Sequence, residues 1–287
     1  MIKAILAPAT GSHTDAAVFA AAVAVARKFA AHIDLLHVRV DSTAMAATMA
    51  ADGGGAVMVS GLVERIDEEA DQREGRAKTL FQSFCDRERL AIAEGPAGQA
   101  GVTAQWLRQT GDEASWVAEY GRSADLLVIG RSADSEGAAL DTIEAALLGS
   151  GRPVLIPAAA PLAALPETVV IAWKAAPEAA RAVTAAMPLI AAAKRVLIVT
   201  VAEEMGLSDQ EGARLMNSLR WHGLDVSTRH LQPGMTGAAD TMLDAARDEA
   251  ALLVMGAYGH SRLREWVFGG FTRHVLRGAE VPVLMMH

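Results

Sequence analysis

Four glycines, Gly256, Gly259, Gly269 and Gly270, stand at a spacing that suits one kind of chemistry. Residues 252–255 before them are the apolar run LLVM, of strand length, and residues 271–276 after them read as the start of a helix. A strand that runs into glycines and then a helix N-terminus offers unpaired N–H groups and the positive end of a helix dipole, which suits a phosphate. Glycine matters there because a Cβ would hold the backbone away from phosphate oxygens or forbid positive φ. Spacing by itself is a weak signal. Gly98, Gly101 and Gly111 repeat it, but they follow the polar residues 93–96 with no apolar strand, and that copy is read as coincidence. His260, Arg262 and Arg264 fall between the glycine pairs, where they either reach phosphate oxygens or form a solvated basic loop.

The elements that must position these residues come in two sets. At 287 residues the chain is long enough for two domains with sizeable cores, and 52% hydrophobic content marks it as globular. ADLLVIG at 124–130 matches AALLVMG at 250–256 in five of seven positions. RPVLI at 152–156 pairs with VPVLM at 281–285, KAILAP at 3–8 with TVVIAW at 168–173, and IDLLHV at 33–38 with VLIVTV at 196–201. The matches keep the same order, so the chain reads as a tandem duplication. The domains expected are 1–157 and 167–287, joined by the Ala- and Pro-rich linker 158–166.

Each half alternates short apolar runs with helical stretches. Strands are expected at 2–7 and 33–38 around a helix at 15–31, and again at 169–172 and 196–201 around a helix at 177–194, which Pro188 should kink or divide. Apolar runs flanked by helices are the pattern of parallel strands buried on both faces, so the fold class is α/β with an open parallel sheet in each half. Ligands of such sheets bind beyond the carboxyl ends of the strands, where Gly256 sits. The middles differ: residues 41–123 far outrun 202–249, and the excess includes the charged stretch 64–78. That stretch reads as a solvated helix face, with a flap or partner surface as the alternative.

Composition excludes some classes. No apolar run reaches the ~18 residues of a membrane span. No signal peptide is read at Met1, so the cytoplasm is the expected compartment. A net charge of −8 argues against nucleic acid as a partner. Cys85 is the only cysteine, which rules out an internal disulfide and a Cys-rich metal site. His32 and His37 lie five apart in a strand and so point to opposite faces, and the other histidines show no metal spacing. Nothing reads as a nucleophile paired with a base.

The segments LLVMGAYGHS, GGFTRHVL, VPVLMM and ILAPATGS resemble the universal stress protein family, and the resemblance spans nearly the whole chain. It implies two tandem open five-stranded parallel-sheet domains of Rossmann-like type, paired through their last strands as a pseudo-dimer, and leaves a further homodimer open. It also implies an ATP or AMP site on a G-x2-G-x9-G-Ser/Thr motif, with at most weak hydrolysis. Carried over, Gly256, Gly259 and Gly269 match, while Gly270 stands where nucleotide binders have Ser or Thr. Loss of a hydroxyl donor to a charged phosphate is worth ~1.5–3 kcal/mol, a roughly ten- to hundredfold fall in affinity. The adenine-contacting Asp is replaced by Lys174 in the second half and by Thr10 in the first; Lys174 would face a phosphate instead. Val201 matches the strand end whose backbone meets adenine.

In the first half Ala133 replaces the second glycine, and Asp134, Glu136, Asp141 and Glu144 crowd the segment, so that copy reads as degenerate and structural. Asp134 and Glu136 fix no coordination geometry, and no metal is expected. Trp173 and Trp266 either stack on a base or pack at the sheet rim. The expected function is a cytoplasmic tandem stress protein whose second half binds an adenine nucleotide or related phosphate ligand as a sensor or regulator. A scaffold that has lost the nucleotide is the alternative, and an enzyme such as a slow ATPase lacks a visible acid, base or metal pair.

Overall fold

Alternation along the buried strands builds the layers of this protein. In a strand, neighbouring side chains face opposite ways. Ile5 and Ala7 join one core cluster and Leu6 the other; Leu252 and Val254 likewise separate from Leu253 and Met255. Both faces of the sheet are therefore apolar, and each needs a layer of helices. The computed structural model describes residues 1–51, 56–96, 101–131, 138–201, 207–258 and 270–287.

The first half runs β1 (Ala4–Pro8), α1 (Asp15–Phe29), β2 (His32–Arg39), α2 (Ser42–Ala51), α3 (Ala56–Glu88), β3 (Ala91–Ile92), β4 (Thr103–Thr110), α4 (Glu113–Gly121), β5 (Leu126–Val128), α5 (Ala138–Gly149) and β6 (Val154–Ile156). The second runs β7 (Thr168–Ala172), α6 (Pro177–Ala192), β8 (Arg195–Val201), α7 (Leu207–Arg220), β9 (Val226–Leu231), α8 (Ala238–Asp248), β10 (Leu252–Gly256), α9 (Gly270–Gly278) and β11 (Val283–Met286). Helices α1, α3, α6 and α7 cover one face, and α4, α5, α8 and α9 the other.

Among the described residues the strands form one sheet in the order β3-β4-β2-β1-β5-β6-β11-β10-β7-β8-β9. Every strand pair is parallel except β6 with β11, where Val283 lies opposite Ile156 and Met285 opposite Val154. The two half-sheets thus merge edge to edge and point their carboxyl ends in opposite directions. The α/β parallel fold expected from the apolar runs is the fold observed.

Three local readings change. The helix at Pro177 is a single element through Ala192 with Pro188 inside it, so it is not divided. Proline at position 188 removes one N–H that would have bonded the Thr184 carbonyl, and packing of Ala186, Leu189 and Ile190 into the core keeps the turn. The first strands align one residue away from the KAILAP–TVVIAW match. Ile5 lies opposite Leu126 as Val169 lies opposite Leu252, and Pro8 opposite Leu36 as Ala172 opposite Val199. Strands β4 and β9 fall in the two middles, where no strand was expected. Both are outer strands with partly wet faces, so TAQWLRQT and VSTRHL lack the continuous apolar run of a buried strand.

Candidate functional site

The second half gathers part of the expected site at one edge. Lys174 follows β7, Val201 ends β8, Gly256 ends β10, and Gly270 opens α9. Because β10 pairs with β7 and β7 with β8, these carboxyl ends lie side by side. Helix α9 runs back antiparallel to β10, which turns its N-terminus to the same edge. Lys174 is exposed, Val201 half-buried, and Gly270 exposed with nothing among the described residues within 4 Å of where its Cβ would stand. Gly259, Gly269, His260, Arg262, Arg264 and Trp266 lie outside the described residues.

Gly256 is glycine for a reason other than phosphate access. A Cβ there would stand 2.6 Å from the Ala179 nitrogen and 2.7 Å from the Glu178 carbonyl carbon, so its absence lets β10 meet the first turn of α6. Gly130 plays the same part in the first half, against Thr14 and Val18 of α1 and its cap. The strand-end glycine therefore belongs to the architecture of both copies. Gly101 and Gly111, from the coincidental motif, flank strand β4 with positive φ instead of leading a strand into a helix.

Tyr258 escaped the sequence reading. It ends the described stretch after β10 with φ of +58°, a conformation that costs a non-glycine residue about 1–2 kcal/mol. Burial pushes its hydroxyl above the ordinary phenol range, helped by Glu144 of α5 and opposed by Arg273 of α9. A positive-φ tyrosine leaves no signature in composition or periodicity. Trp173 packs against the core at the rim of β7, with its indole nitrogen buried.

Part of the first-half crevice is covered by the chain itself. The charged stretch forms the middle of α3, whose thirty-three residues far exceed the fourteen of α7. It is more than a solvated face. Arg73 Nε donates to the Thr10 carbonyl and Arg76 Nε to the Gly11 carbonyl, each at 3.2 Å. Arg39, at the end of β2, pairs with Asp67 at 3.0 Å and with Asp71, while Arg108 of β4 reaches Glu74 at 2.8 Å. Gly11, with φ of +74°, leaves so little room that a Cβ would stand 2.4 Å from the Arg73 carbonyl oxygen. Helix α3 therefore seals the carboxyl ends of β1, β2 and β4.

Beneath this seal lies an acidic pocket. The Asp15 carboxylate, fully buried, accepts from Thr10 N (3.1 Å), Thr10 Oγ1 (2.7 Å) and Gly11 N (2.8 Å). His37 is also buried. Its Nδ1 donates to the Ala9 carbonyl at 2.7 Å, and its ring stacks on Trp106. Glu113, in the first turn of α4, turns its carboxyl inward to buried Thr142, whose hydroxyl donates at 3.3 Å. Desolvation raises the carboxyls of Asp15 and Glu113 above their ordinary range. For Glu113, Arg73 and Thr142 oppose the rise and Asp15 reinforces it.

An acid whose folded pKa is raised stabilises the fold below its unfolded value, 4.5 for Glu113, and loses that contribution as pH rises through the folded value. Glu113→Gln is therefore expected to gain stability relative to the parent as the pH rises above 4.5. Urea unfolding at several pH values reads this directly. A difference that stays flat or shrinks toward neutrality contradicts it.

Other residues are inert. Cys85 is 2% exposed, and burial pushes its thiol up to about 11, so it packs as a small apolar group. His32 bonds Thr103 at 2.6 Å and Asp34 at 3.1 Å on the face opposite His37. Among the described residues no three His, Cys, Asp or Glu side chains converge on a metal-sized site, and no helix is long and apolar enough to cross a membrane.

Comparison with known proteins follows this geometry. Residues 166–287 match the model of the universal stress protein family. The whole fold is similar to that of a universal stress protein from Archaeoglobus fulgidus DSM 4304, with a TM-score of 0.69 and 16% identity over 99% of this chain and 95% of that one. It is also similar to a functionally unknown protein from Pseudomonas aeruginosa PAO1, with a TM-score of 0.54 and 16% identity over 99% and 92%. The likeness of the first half is thus one of fold alone, while the second half also matches the family model. No curated protein matches the chain.

Proposed function

We propose that the second half binds an adenine nucleotide, ATP or AMP, or a related phosphate ligand, and that the protein acts as a sensor or regulator in a stress response. One observation carries this reading. Gly270 opens α9 at the carboxyl edge of the second sheet with no described atom within 4 Å of its Cβ position, whereas the strand ends of the first half lie under α3. The amides of the first turn of α9 would receive the phosphates, with the Lys174 ammonium as a point charge. The Val201 backbone would meet the base. The reading is of a binding module, because the site calls on no acid–base pair.

Titration calorimetry of the full chain with ATP and with AMP tests it. Gly270→Ser supplies the hydroxyl donor that resembles the family pattern, and affinity is expected to rise about tenfold. Lys174→Glu reverses a charge beside the phosphates, and an opposite effect of at least about tenfold is expected. Gly259→Asp should abolish the response. No heat from the parent or from Gly270→Ser, with either nucleotide, removes the reading and supports the scaffold. Release of phosphate from ATP with Mg²⁺, lost in Gly259→Asp, would instead favour an enzyme.

A further inference from the structure

Arg131, the residue after Gly130 in the first half, reaches into the second. Its Nη1 donates to the Leu276 carbonyl at 3.0 Å and its Nη2 to the Ala279 carbonyl. These carbonyls belong to the last turn of α9 and the residue just beyond it, where a helix has unsatisfied acceptors and the negative end of its dipole. A guanidinium is the side chain best shaped to take two such oxygens at once.

The surroundings make this contact important for where α9 sits. A cavity of about 880 Å³ separates Thr14, Ala17, Leu140 and Ile143 of the first half from Leu276 and Gly278 of the second. Arg131 lines it and crosses to the second half through directed hydrogen bonds. Helix α9 is also held on its α8 side, where His274 bonds Asp240 at 2.6 Å. The contact has no mirror image. Ala257 occupies the equivalent place in the second half, and the end of α5 is bonded by Arg122 of its own half, to Gly149 at 3.1 Å.

We propose that Arg131 is a positioning residue through which the degenerate first half sets the orientation of α9 and hence of the anion site at its opposite end. The proposal rests on the nucleotide reading above. It accounts for a half whose own strand ends lie under α3 and which is yet built around the helix that its sister uses. Glu144 of α5 adds to the hold, since its carboxylate lies in electrostatic reach of Arg273 on α9 and of Tyr258 at the end of β10. Side chains of the first half therefore touch or influence both described ends of the glycine segment.

The test compares the full chain with Arg131→Met, which keeps an apolar stem of similar length, and with Arg131→Lys. Hydrogen exchange of the α9 amides reports the tether, and calorimetry with ATP and AMP reports the site. Exchange in residues 270–278 is expected to speed up about tenfold in Arg131→Met while β10 and α6 keep their protection, and nucleotide affinity to fall about tenfold. Arg131→Lys, with one ammonium for two carbonyls, should lie between. A general loss of protection across both halves would mark Arg131 as merely structural and overturn the proposal, as would unchanged exchange in α9. Normal affinity despite loosened α9 overturns the link to the site. A parent chain that binds neither nucleotide overturns the ligand reading, and the exchange data then decide the tether alone.

Discussion

Gly256→Val is expected to lower the stability of the chain by about 3 kcal/mol or more, which corresponds to a fall in melting temperature of roughly 6–10 °C. The new side chain would begin 2.6 Å from the Ala179 nitrogen and 2.7 Å from the Glu178 carbonyl carbon. Those are backbone atoms of the first turn of α6, and they cannot rotate aside as a side-chain tip can. Either β10 or α6 must move, and β10 is a central strand with neighbours on both sides. Gly270→Ala is the control. Its Cβ meets nothing among the described residues, so stability should stay level or rise by up to ~1 kcal/mol, since alanine is the better helix former. Thermal unfolding followed by circular dichroism measures both. Equal small effects at the two positions would show that the strand-end glycine is not set by packing.

Gly11→Val should cost about 3 kcal/mol as well, for a different pair of reasons. Its φ of +74° is strained for any branched residue, and its Cβ would lie 2.4 Å from the Arg73 carbonyl oxygen. The cheapest relief is to lift α3 from the end of β1. That would strain the Arg73 and Arg76 hydrogen bonds to Thr10 and Gly11 and loosen the Arg39 pairs with Asp67 and Asp71. Most of these ion pairs are partly exposed and individually worth little, ~0–1 kcal/mol, so the fitted backbone contact carries more of the seal than the charges do. Loss of amide protection in the middle of α3, with β10 and β11 unaffected, is the expected pattern. A variant within about 1 kcal/mol of the parent would mean that α3 only rests on the crevice.

The two halves of the chain hold opposite solutions at matching places. In both copies a glycine ends the fourth main strand so that the first helix can approach, Gly130 against Thr14 and Val18, Gly256 against Glu178 and Ala179. Beyond that point the copies diverge. In the first, the long α3 covers the ends of β1, β2 and β4 and Arg131 reaches the neighbouring helix, while the second has a short α7 and a Gly270 with no described atom near its Cβ position.

Buried parallel strands were legible as residues because both their faces are dry: LLVIG and LLVMG need no alternation, and their repetition marked the two halves. The helices α1 and α6 were legible from their length and apolar spacing, and the phosphate-type segment from its glycines. Strands β4 and β9 were not, since an outer strand with a wet face reads like any polar stretch. The sequence by itself determined the α/β class, the repeated segments and the contrast between a nearly complete and a degraded glycine motif, because these depend on hydrophobic period and local backbone freedom. Only the tertiary structure decided that Gly256 serves packing, that Arg73 and Arg76 close the first crevice, and that Arg131 holds a helix 145 residues away at Leu276. Those are contacts between distant segments, and no local pattern of residues encodes which carbonyl a guanidinium will meet.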